Sequence, residues 1–288
     1  MLFATIVAMK TEYTFHSHTY RCNHAIGDIE DYVSLAIQKG LKIYGVSDHV
    51  FLPGVSEPRT RGEYTCLEEY IDTYNKVKKK YGNDIEMFFG FECEYGEMFI
   101  DYYKSLLNDK KFDYLILGQH NGFDKNLNYI QYVKNHIDDK YEDLEAYIED
   151  VIKGIRSGLF FYVAHPDLFF VGAKEVTPLL KKLTKEIIKV GEEFDIPFEI
   201  NIHGFLRQER RKGLGLIGYP ASYFWDEVSK SEIKVVYGGD YHELDEVGNE
   251  HFDEVLTNFI REHNLKLVDI KDEYIKYRQR IQSLNKVT

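Results

Sequence analysis

Residues 41–49 read Leu-Lys-Ile-Tyr-Gly-Val-Ser-Asp-His, an apolar, β-rich run that ends in a carboxylic acid and an imidazole. Runs of this kind recur along the chain, and segments with helical spacing separate them. The predicted strands are residues 12–15, 41–46, 85–91, 112–117, 159–163, 196–202 and 233–237. Repeated alternation of strand and helix predicts an α/β fold with a parallel sheet and outer helices.

Helix boundaries are indicated between these runs by capping residues. One predicted helix stops at Gly40, which suits the residue after a helix C-terminus. Another opens at Thr65, which forms a capping-box pattern with Glu68, and ends at Gly82. Thr177-Pro178 is typical of an N-cap followed by the first helical residue.

Polar side chains capable of chemistry end nearly every predicted strand. They are His16, His18, Asp48, His49, Glu92, Glu94, Gln119, His120, His165, Asp167, Glu199, Asn201, Asp240 and His242. The C-terminal strand ends of a (β/α) barrel converge on its active site, whereas an open sheet would spread seven such ends along a line. We therefore predict one TIM-barrel-like (β/α)7 barrel over residues 1–288, which ends in C-terminal helices at 251–288. Residues 1–8 are interpreted as an extension upstream of a start at Met9 or as a first buried strand.

Charge and cysteine content restrict the possible partners. The 288 residues carry 36 Lys and Arg against 48 Asp and Glu, a net charge of −12, which argues against broad nucleic-acid binding. A small phosphorylated metabolite held by a few local cations remains compatible with this charge. Cys22, Cys66 and Cys93 form no CxxC pair, which favours a reducing cytoplasm. The chain has no apolar run of about 18 residues, so no membrane span is predicted.

The histidines indicate a metal centre. His16 and His18 lie two residues apart on a predicted strand, so both side chains point to one face. Asp240 and His242 repeat that spacing at the last strand. Imidazoles and carboxylates crowded into one barrel mouth would be costly to bury without partners. Zinc, iron or manganese ions are the usual solution for such ligands.

The motifs His16-x-His18, His24 and Ser47-Asp-His49 resemble the polymerase-and-histidinol-phosphatase (PHP) domain. The resemblance continues in order through Gly90-Phe-Glu-Cys-Glu94, Leu117-Gly-Gln-His120, Ala164-His-Pro-Asp167, Glu199-Ile-Asn201 and Gly239-Asp-Tyr-His242. It covers about residues 11–250. The stretch Ala36-Ile-Gln-Lys-Gly-Leu41, Arg61 and the His120-Asn-Gly turn are similar to the histidinol-phosphatase branch. The chain departs from the family pattern at Gly62, His203 and Tyr241.

The resemblance implies a distorted (β/α)7 barrel that holds three divalent transition-metal ions, with zinc preferred over iron or manganese. The implied sets are His16, His18, Glu92 and Asp240 for the first ion, Glu92, His120 and His165 for the second, and His24, His49 and His242 for the third. The second set has only three protein ligands, which leaves open positions for water and substrate, as a catalytic site requires.

A metal-dependent phosphomonoesterase is therefore expected, most simply a histidinol-phosphatase that acts late in histidine biosynthesis. Divalent cations lower the pKa of coordinated water and neutralise phosphoryl oxygens, and phosphate-ester hydrolysis needs both effects. A nucleotide, sugar phosphate or phosphotyrosine is an alternative substrate. A non-catalytic metal-binding module is the alternative outside enzymes.

Contacts with the substrate are harder to predict than metal ligands. Arg207, in a predicted loop at 205–211, is interpreted as a phosphate clamp or a surface arginine. Arg61, in a lid-like loop at 53–64, is the second clamp candidate. Asn201 and His203 are expected to share a strand face toward the substrate, with His203 as proton donor to the leaving alcohol or as a structural histidine.

Acidic residues are expected to have further roles in the site. Glu92 and Asp240 are expected to hold the first ion beside the attacking water. Glu94, Glu97 and Glu199 are candidates to bind the cationic amine of histidinol phosphate. Asp48 and Asp167 are expected to orient neighbouring ligands.

Overall fold

The computed structural model describes residues 8–108, 112–132, 143–284 and 286. Both interpretations of residues 1–8 therefore lie outside the described residues, except at Ala8. The strands are β1 (Tyr13–Thr14), β2 (Ile43–Val46), β3 (Glu86–Cys93), β4 (Tyr114–Leu117), β5 (Asn121–Phe123), β6 (Tyr129–Gln131), β7 (Phe198–Asn201) and β8 (Val235–Gly238). β1 to β4 pair in parallel in chain order, and β7 pairs in parallel with β8.

The predicted strand at 159–163 is reduced to a narrow bridge, which corrects its predicted extent. Val163 alone forms bridges, to Leu117 of β4 on one side and to Phe198 of β7 on the other. The Phe161 N–H also donates to the Leu115 carbonyl at 2.7 Å. These contacts satisfy the buried backbone groups of the segment and place it between β4 and β7, which is the fifth position of the sheet.

The ring closes between the end of β8 and the end of β1. Ser17 bridges to Tyr241, and the Asp240 N–H donates to the His16 carbonyl at 2.8 Å. The His18 N–H donates back to the Tyr241 carbonyl at 2.9 Å. The predicted TIM-like α/β barrel is thus confirmed, with short, distorted contacts at its closure.

Nine helices surround the ring within the described residues. They are α1 (Ile29–Lys39), α2 (Leu67–Tyr81), α3 (Ile100–Asn108), α4 (Leu144–Ser157), α5 (Pro178–Glu193), α6 (Ile202–Arg210), α7 (Ser222–Val228), α8 (Glu250–Glu262) and α9 (Ile270–Leu284). Gly40 ends α1 at φ 84°, and the Thr177 side chain caps α5, as predicted. The predicted capping box at Thr65 is wrong, because a short 3-10 turn precedes α2 and its N-cap, Cys66, makes no side-chain bond.

Aromatic side chains fill the layer between strands and helices. The Tyr74 and Phe89 rings stack at 4.2 Å, and Phe112 stacks on Phe89 at 4.5 Å. Tyr114, inside the barrel, donates its hydroxyl to the Phe15 carbonyl at 2.9 Å. Each buried aromatic ring contributes about 1.5–3 kcal/mol to stability, so this layer gives a rigid base for the strand ends.

Candidate metal centre and active site

All nine side chains expected to bind metal lie at the same end of the barrel. His16 and His18 follow β1, His49 follows β2, Glu92 ends β3, and the others follow β4, Val163 and β8, while His24 follows a short 3-10 turn. The parallel strands leave the core on this side, so successive ligands that are distant in sequence become neighbours in space.

The first expected set meets around two carboxylates. His16 Nε2 lies 3.4 Å from both Glu92 Oε1 and Asp240 Oδ1. His18 Nε2 lies 3.0 Å from Asp240 Oδ1 and 3.5 Å from Glu92 Oε2. The ligand atoms of His16, His18 and Asp240 all lie within 4.8 Å of one another. One ion could therefore contact all four side chains.

The second expected set meets the first at one oxygen of Glu92. His165 Nε2 lies 2.8 Å from Glu92 Oε1, and His120 Nε2 lies 3.7 Å from the same oxygen. Since His16 Nε2 also faces this oxygen, the Glu92 carboxylate lies between two groups of imidazoles. This position suits a carboxylate shared by two cations.

The third expected set lies nearest to solvent. The ligand atoms of His24, His49 and His242 lie within 4.8 Å of one another, and the His24 side chain is exposed. His49 Nδ1 also lies 2.9 Å from Glu92 Oε2. This cluster therefore adjoins the other two and opens to the cavity.

Hydrogen bonds orient several of these imidazoles toward the cluster. The Nδ1–H of His24 donates to the Cys22 carbonyl, and that of His242 donates to the Asp240 carbonyl, both at 2.8 Å. His16 Nδ1 donates to Glu199 Oε1 at 2.9 Å. Because carbonyls and carboxylates only accept, Nε2 carries the free lone pair in each ring when that ring is neutral. Metal-binding histidines are usually held in this way.

Several polar atoms of these side chains are buried without hydrogen-bond partners among the described residues. They are His16 Nε2, His18 Nδ1 and Nε2, His49 Nδ1, Glu92 Oε2, His120 Nδ1 and His165 Nδ1. Leaving so many polar atoms unpaired inside a protein is costly. Divalent cations satisfy imidazole nitrogens and carboxylate oxygens together, so the residues fit a divalent-metal centre.

The electrostatics of the metal-free cluster favour the metal-binding protonation state at Glu92, Asp240 and His49. Burial would raise the pKa of Glu92, but the imidazoles of His120 and His16 outweigh it and hold that pKa well below its usual range. The pKa of Asp240 is likewise lowered, because His16 outweighs the effect of burial. Burial lowers the pKa of His49 to about 3, despite the nearby Glu92. Ionised carboxylates and a neutral imidazole are the forms that bind metal.

At His18, burial would lower the pKa, but the hydrogen bonds to Asp240 and Asp48 outweigh it and raise that pKa to about 9, so a bound metal would have to displace a proton there.

Glu199 and Asn201 lie behind the ligands. Glu199 Oε2 accepts from the His165 backbone N–H and from Asn201 Nδ2, both at 3.0 Å. Asn201 Nδ2 also lies 3.1 Å from Asp240 Oδ2, and Asn201 is 1% exposed. Glu199 is fully buried and already binds His16. Both side chains therefore contact expected metal ligands, and neither is among the residues that line the cavity at this end of the barrel.

A cavity of about 690 Å³ opens above the metal centre. Its wall includes His203, Arg207, Tyr219, Glu57, Tyr129 and Glu243. Its size suits a small ligand. Glu97, expected as a possible amine ligand, is exposed and is not among the residues that line this cavity.

His203 and Arg207 lie on α6, which corrects their predicted placement. β7 ends at Asn201, and its side chain accepts from the Gly204 N–H at 2.9 Å, which starts α6 immediately. His203 is therefore not on a strand face, and Arg207 is not in a loop. Both still line the cavity, and the Arg207 guanidinium lies 5.9 Å from the Tyr219 ring centroid.

Glu246 was not found by sequence reasoning. His203 Nδ1 donates to Glu246 Oε1 at 3.0 Å, and the His242 N–H donates to Glu246 Oε2 at 2.7 Å. One buried carboxylate therefore orients a cavity imidazole and the backbone of an expected ligand. Glu246 lies four residues after His242 in a turn, and no motif marks it.

Asp48 and Asp167 differ in their roles. Asp48 Oδ1 lies 3.6 Å from His18 Nδ1 and accepts from the His49 N–H at 3.2 Å, so it lies against two expected ligands. Asp167 Oδ2 accepts instead from the Ala221 N–H and from Trp225 Nε1, at 2.6 and 3.0 Å. It therefore joins the segment after His165 to the N-terminal part of α7.

Gly118→Ala is expected to displace the Glu92 carboxylate. A Cβ at Gly118 would lie 1.9 Å from Glu92 Oε1, so the flexible carboxylate must move. We expect bound metal to fall by at least one equivalent and kcat by about 10²-fold, since a shift of 1 Å in a site can cost that much. Elemental analysis and steady-state kinetics check this result.

Gly154→Ala is the matched control, because its Cβ would lie 2.8 Å from the Leu117 methyl groups, away from any carboxylate. It should lower stability without loss of metal. Full metal content and normal kcat in Gly118→Ala would show that the Glu92 position is not critical.

No helix in the described part of the chain is long and apolar enough to cross a membrane.

Comparisons with known proteins agree with this arrangement. A family model described as PHP domain matches residues 14–203. A Deinococcus radiodurans protein named "Probable histidinol-phosphatase" is 25% identical over 238 residues, which cover 81% of this chain and 87% of that protein. Histidinol-phosphatase of Bacillus subtilis is 23% identical over 258 residues, with 81% and 94% covered. Histidinol phosphate phosphatase of Lactococcus lactis, crystallised with zinc, L-histidinol and phosphate, has a TM-score of 0.66 at 15% identity, with 90% and 95% covered.

Proposed function

This chain belongs to the PHP domain family, and from that premise we propose that it is a metal-dependent phosphomonoesterase that hydrolyses L-histidinol phosphate to L-histidinol and phosphate. The observation that carries the proposal is the convergence of nine imidazole and carboxylate side chains beneath a cavity that also contains an arginine. The names of the relatives support the substrate. The proposed place of the reaction is histidine biosynthesis in the cytoplasm.

Three divalent ions, with zinc preferred, are part of the proposal. His16, His18, Glu92 and Asp240 would hold one ion, Glu92, His120 and His165 a second, and His24, His49 and His242 a third. Bound ions supply Lewis acidity toward phosphoryl oxygens and lower the pKa of water. The zinc in the Lactococcus lactis structure supports the choice of metal.

The protein side chains would bind the phosphoryl group and the leaving alcohol. Arg207, on the cavity wall, can offer two parallel N–H groups to phosphate oxygens. As a water oxygen bonds to phosphorus and gives its own proton to solvent, the ester bond to the alcohol oxygen breaks. The departing oxygen takes a proton, and we assign its donation to the Nε2–H of a His203 ring that is protonated on both nitrogens. Glu246 holds His203 Nδ1, so Nε2 is the ring nitrogen left for the substrate.

Carboxylates at the cavity support a cationic substrate. Glu57 and Glu243 line the cavity, and each is ion-paired with an exposed arginine that also lines it, Arg59 or Arg210. Glu94 is instead buried and paired with Arg61. An ammonium group could therefore replace the arginine partner of Glu57 or Glu243 at a small cost in free energy. The phosphate of the same substrate would then lie toward Arg207.

A phosphatase screen with metal-loaded protein tests the function. L-histidinol phosphate, a nucleoside monophosphate, a sugar phosphate and a phosphotyrosine peptide are compared by phosphate release. We expect the highest kcat/KM for L-histidinol phosphate, since recognition of its polar groups can discriminate strongly. A better result with another ester would change the substrate, and no release from any of them would favour a non-catalytic metal-binding module.

Metal content is expected to exceed one equivalent per chain and to approach three. Protein purified without chelator would be measured by elemental analysis, then treated with chelator and reloaded with zinc. Activity should disappear with the metal and return with it, because the nucleophile and charge neutralisation depend on cations. Folded protein that retains no transition metal after soaking would contradict the three-ion assignment.

A further inference from the structure

We propose that Arg61 is a positioning residue of the metal centre, which holds Glu94 and the cavity wall against His120 and does not contact the substrate. The inference rests on the proposed function for the assignment of His120 as a ligand. It replaces the expectation, made from the sequence, that Arg61 clamps phosphate.

The Arg61 guanidinium is buried, and both of its terminal nitrogens already donate hydrogen bonds. Arg61 is 1% exposed, and its Nη2 donates to both oxygens of Glu94 at 2.8 Å. Its Nη1 donates to the Val50 carbonyl at 2.9 Å. To reach a phosphate, Arg61 would have to leave a buried carboxylate without its cation, which is strongly unfavourable.

The Glu94 carboxylate that Arg61 holds in place lies against the His120 ring. Glu94 Oε1 lies 3.6 Å from His120 Nδ1, an atom with no hydrogen-bond partner among the described residues. The other ring nitrogen, Nε2, faces Glu92 Oε1 at 3.7 Å. A carboxylate on one ring nitrogen and a metal site on the other is the usual arrangement of a metal-binding histidine.

A second contact of the same guanidinium acts on the chain segment that carries His120. Arg61 Nη2 donates to the Tyr129 hydroxyl at 3.2 Å, and Asn121 Nδ2 donates to that hydroxyl at 2.8 Å. Asn121 directly follows His120 and begins β5, which pairs with β6. Arg61 therefore restrains His120 through Glu94 and through the β5–β6 hairpin.

Tight packing fixes the backbone beside Arg61. A Cβ at Gly62 would lie 2.8 Å from Phe51 Cε1 and 3.2 Å from the Arg21 carbonyl. The Asn23 side chain donates to the Arg61 carbonyl at 3.2 Å. The segment is therefore held against the barrel, and the absence of a side chain at position 62 permits this close approach.

The test compares Arg61→Lys and Glu94→Gln with wild type, and uses Arg261→Lys, an exposed arginine on α8, as the matched control. Each folded variant is loaded with zinc, and zinc dissociation is measured against a competing chelator without substrate. We expect one zinc equivalent to bind about 10–100-fold more weakly in both variants, the range for loss of a residue that orients a ligand. The control should retain zinc as wild type does.

The double variant Arg61→Lys with Glu94→Gln should weaken zinc no further than the worse single variant, because both act through one contact. If Arg61→Lys does not fold, the Glu94→Gln result alone decides. Unchanged zinc affinity in Glu94→Gln, or unchanged affinity with a raised KM in Arg61→Lys, would overturn the proposal and return Arg61 to the substrate. Since zinc is measured without substrate, an error in the assigned phosphate ester would leave this result intact.

Discussion

Glu92→Gln is expected to lower kcat/KM by several orders of magnitude while the barrel still folds. Glu92 Oε1 lies 2.8 Å from His165 Nε2 and 3.4 Å from His16 Nε2, so its negative charge lies between two groups of expected metal ligands. Glutamine keeps the shape of the side chain but removes the negative charge that would hold two cations close together. Without that charge, the Lewis acidity and water activation needed for phosphate hydrolysis are lost.

The measurement combines steady-state kinetics, elemental analysis and circular dichroism. Glu193→Gln, an exposed residue at the end of α5, is the matched control and should behave as wild type. Near-normal turnover of Glu92→Gln with its metals in place would refute the role given to Glu92. Loss of metal together with loss of activity would support it.

Arg207→Ala is expected to lower kcat/KM by about 10²–10³-fold, or roughly 2.7–4 kcal/mol, by analogy with the loss of one oxyanion-stabilising donor. Arg207 lines the cavity, and its guanidinium lies beside the Tyr219 ring. Arg207→Lys should recover only part of the loss, because an ammonium lacks the planar fork that matches phosphate. The exposed side chain adds little packing, so stability should barely change.

Kinetics of wild type, Arg207→Ala and Arg207→Lys, with metal content checked in each, give the result. The metal content should be the same in all three proteins. This result would distinguish Arg207 from Arg61, whose replacement is expected to weaken zinc binding. Equal kcat/KM in all three proteins would place Arg207 among the surface arginines, and Arg210, also at the cavity, would then be the next candidate.

The main error in prediction from sequence occurred at the end of β7. The apolar run at 196–202 continues into the first turn of α6, so hydrophobic pattern alone does not show where the strand ends. The Asn201 side chain decides it by capping the Gly204 N–H. His203 and Arg207 were therefore expected near the cavity, but on the wrong elements.

The residues Glu246 and Tyr219 show a second limit. Glu246 contacts His203 from 43 residues away, and Tyr219 faces His165 at 5.9 Å between ring centroids. Neither lies in a motif or at the end of a strand. Long-range contacts of this kind depend on how loops pack, and a local sequence pattern does not predict them.

The sequence by itself determined the strand and helix alternation, the barrel and the set of candidate ligands. Strand alternation places His16 with His18, and Asp240 with His242, on one face, and parallel strands carry their C-terminal ends to one side. These are consequences of local periodicity and of strand direction, so they can be deduced without coordinates.

Only the tertiary structure decided which charged groups remain available to a substrate. Arg61 and Arg207 look alike in the sequence, but Arg61 is buried against Glu94, 33 residues away, whereas Arg207 stays exposed at the cavity. A buried charge must be paired, and its partner depends on which segments the folded chain brings together. The choice of the proposed phosphate clamp therefore depends on packing, while the proposed metal ligands follow from the ends of the strands.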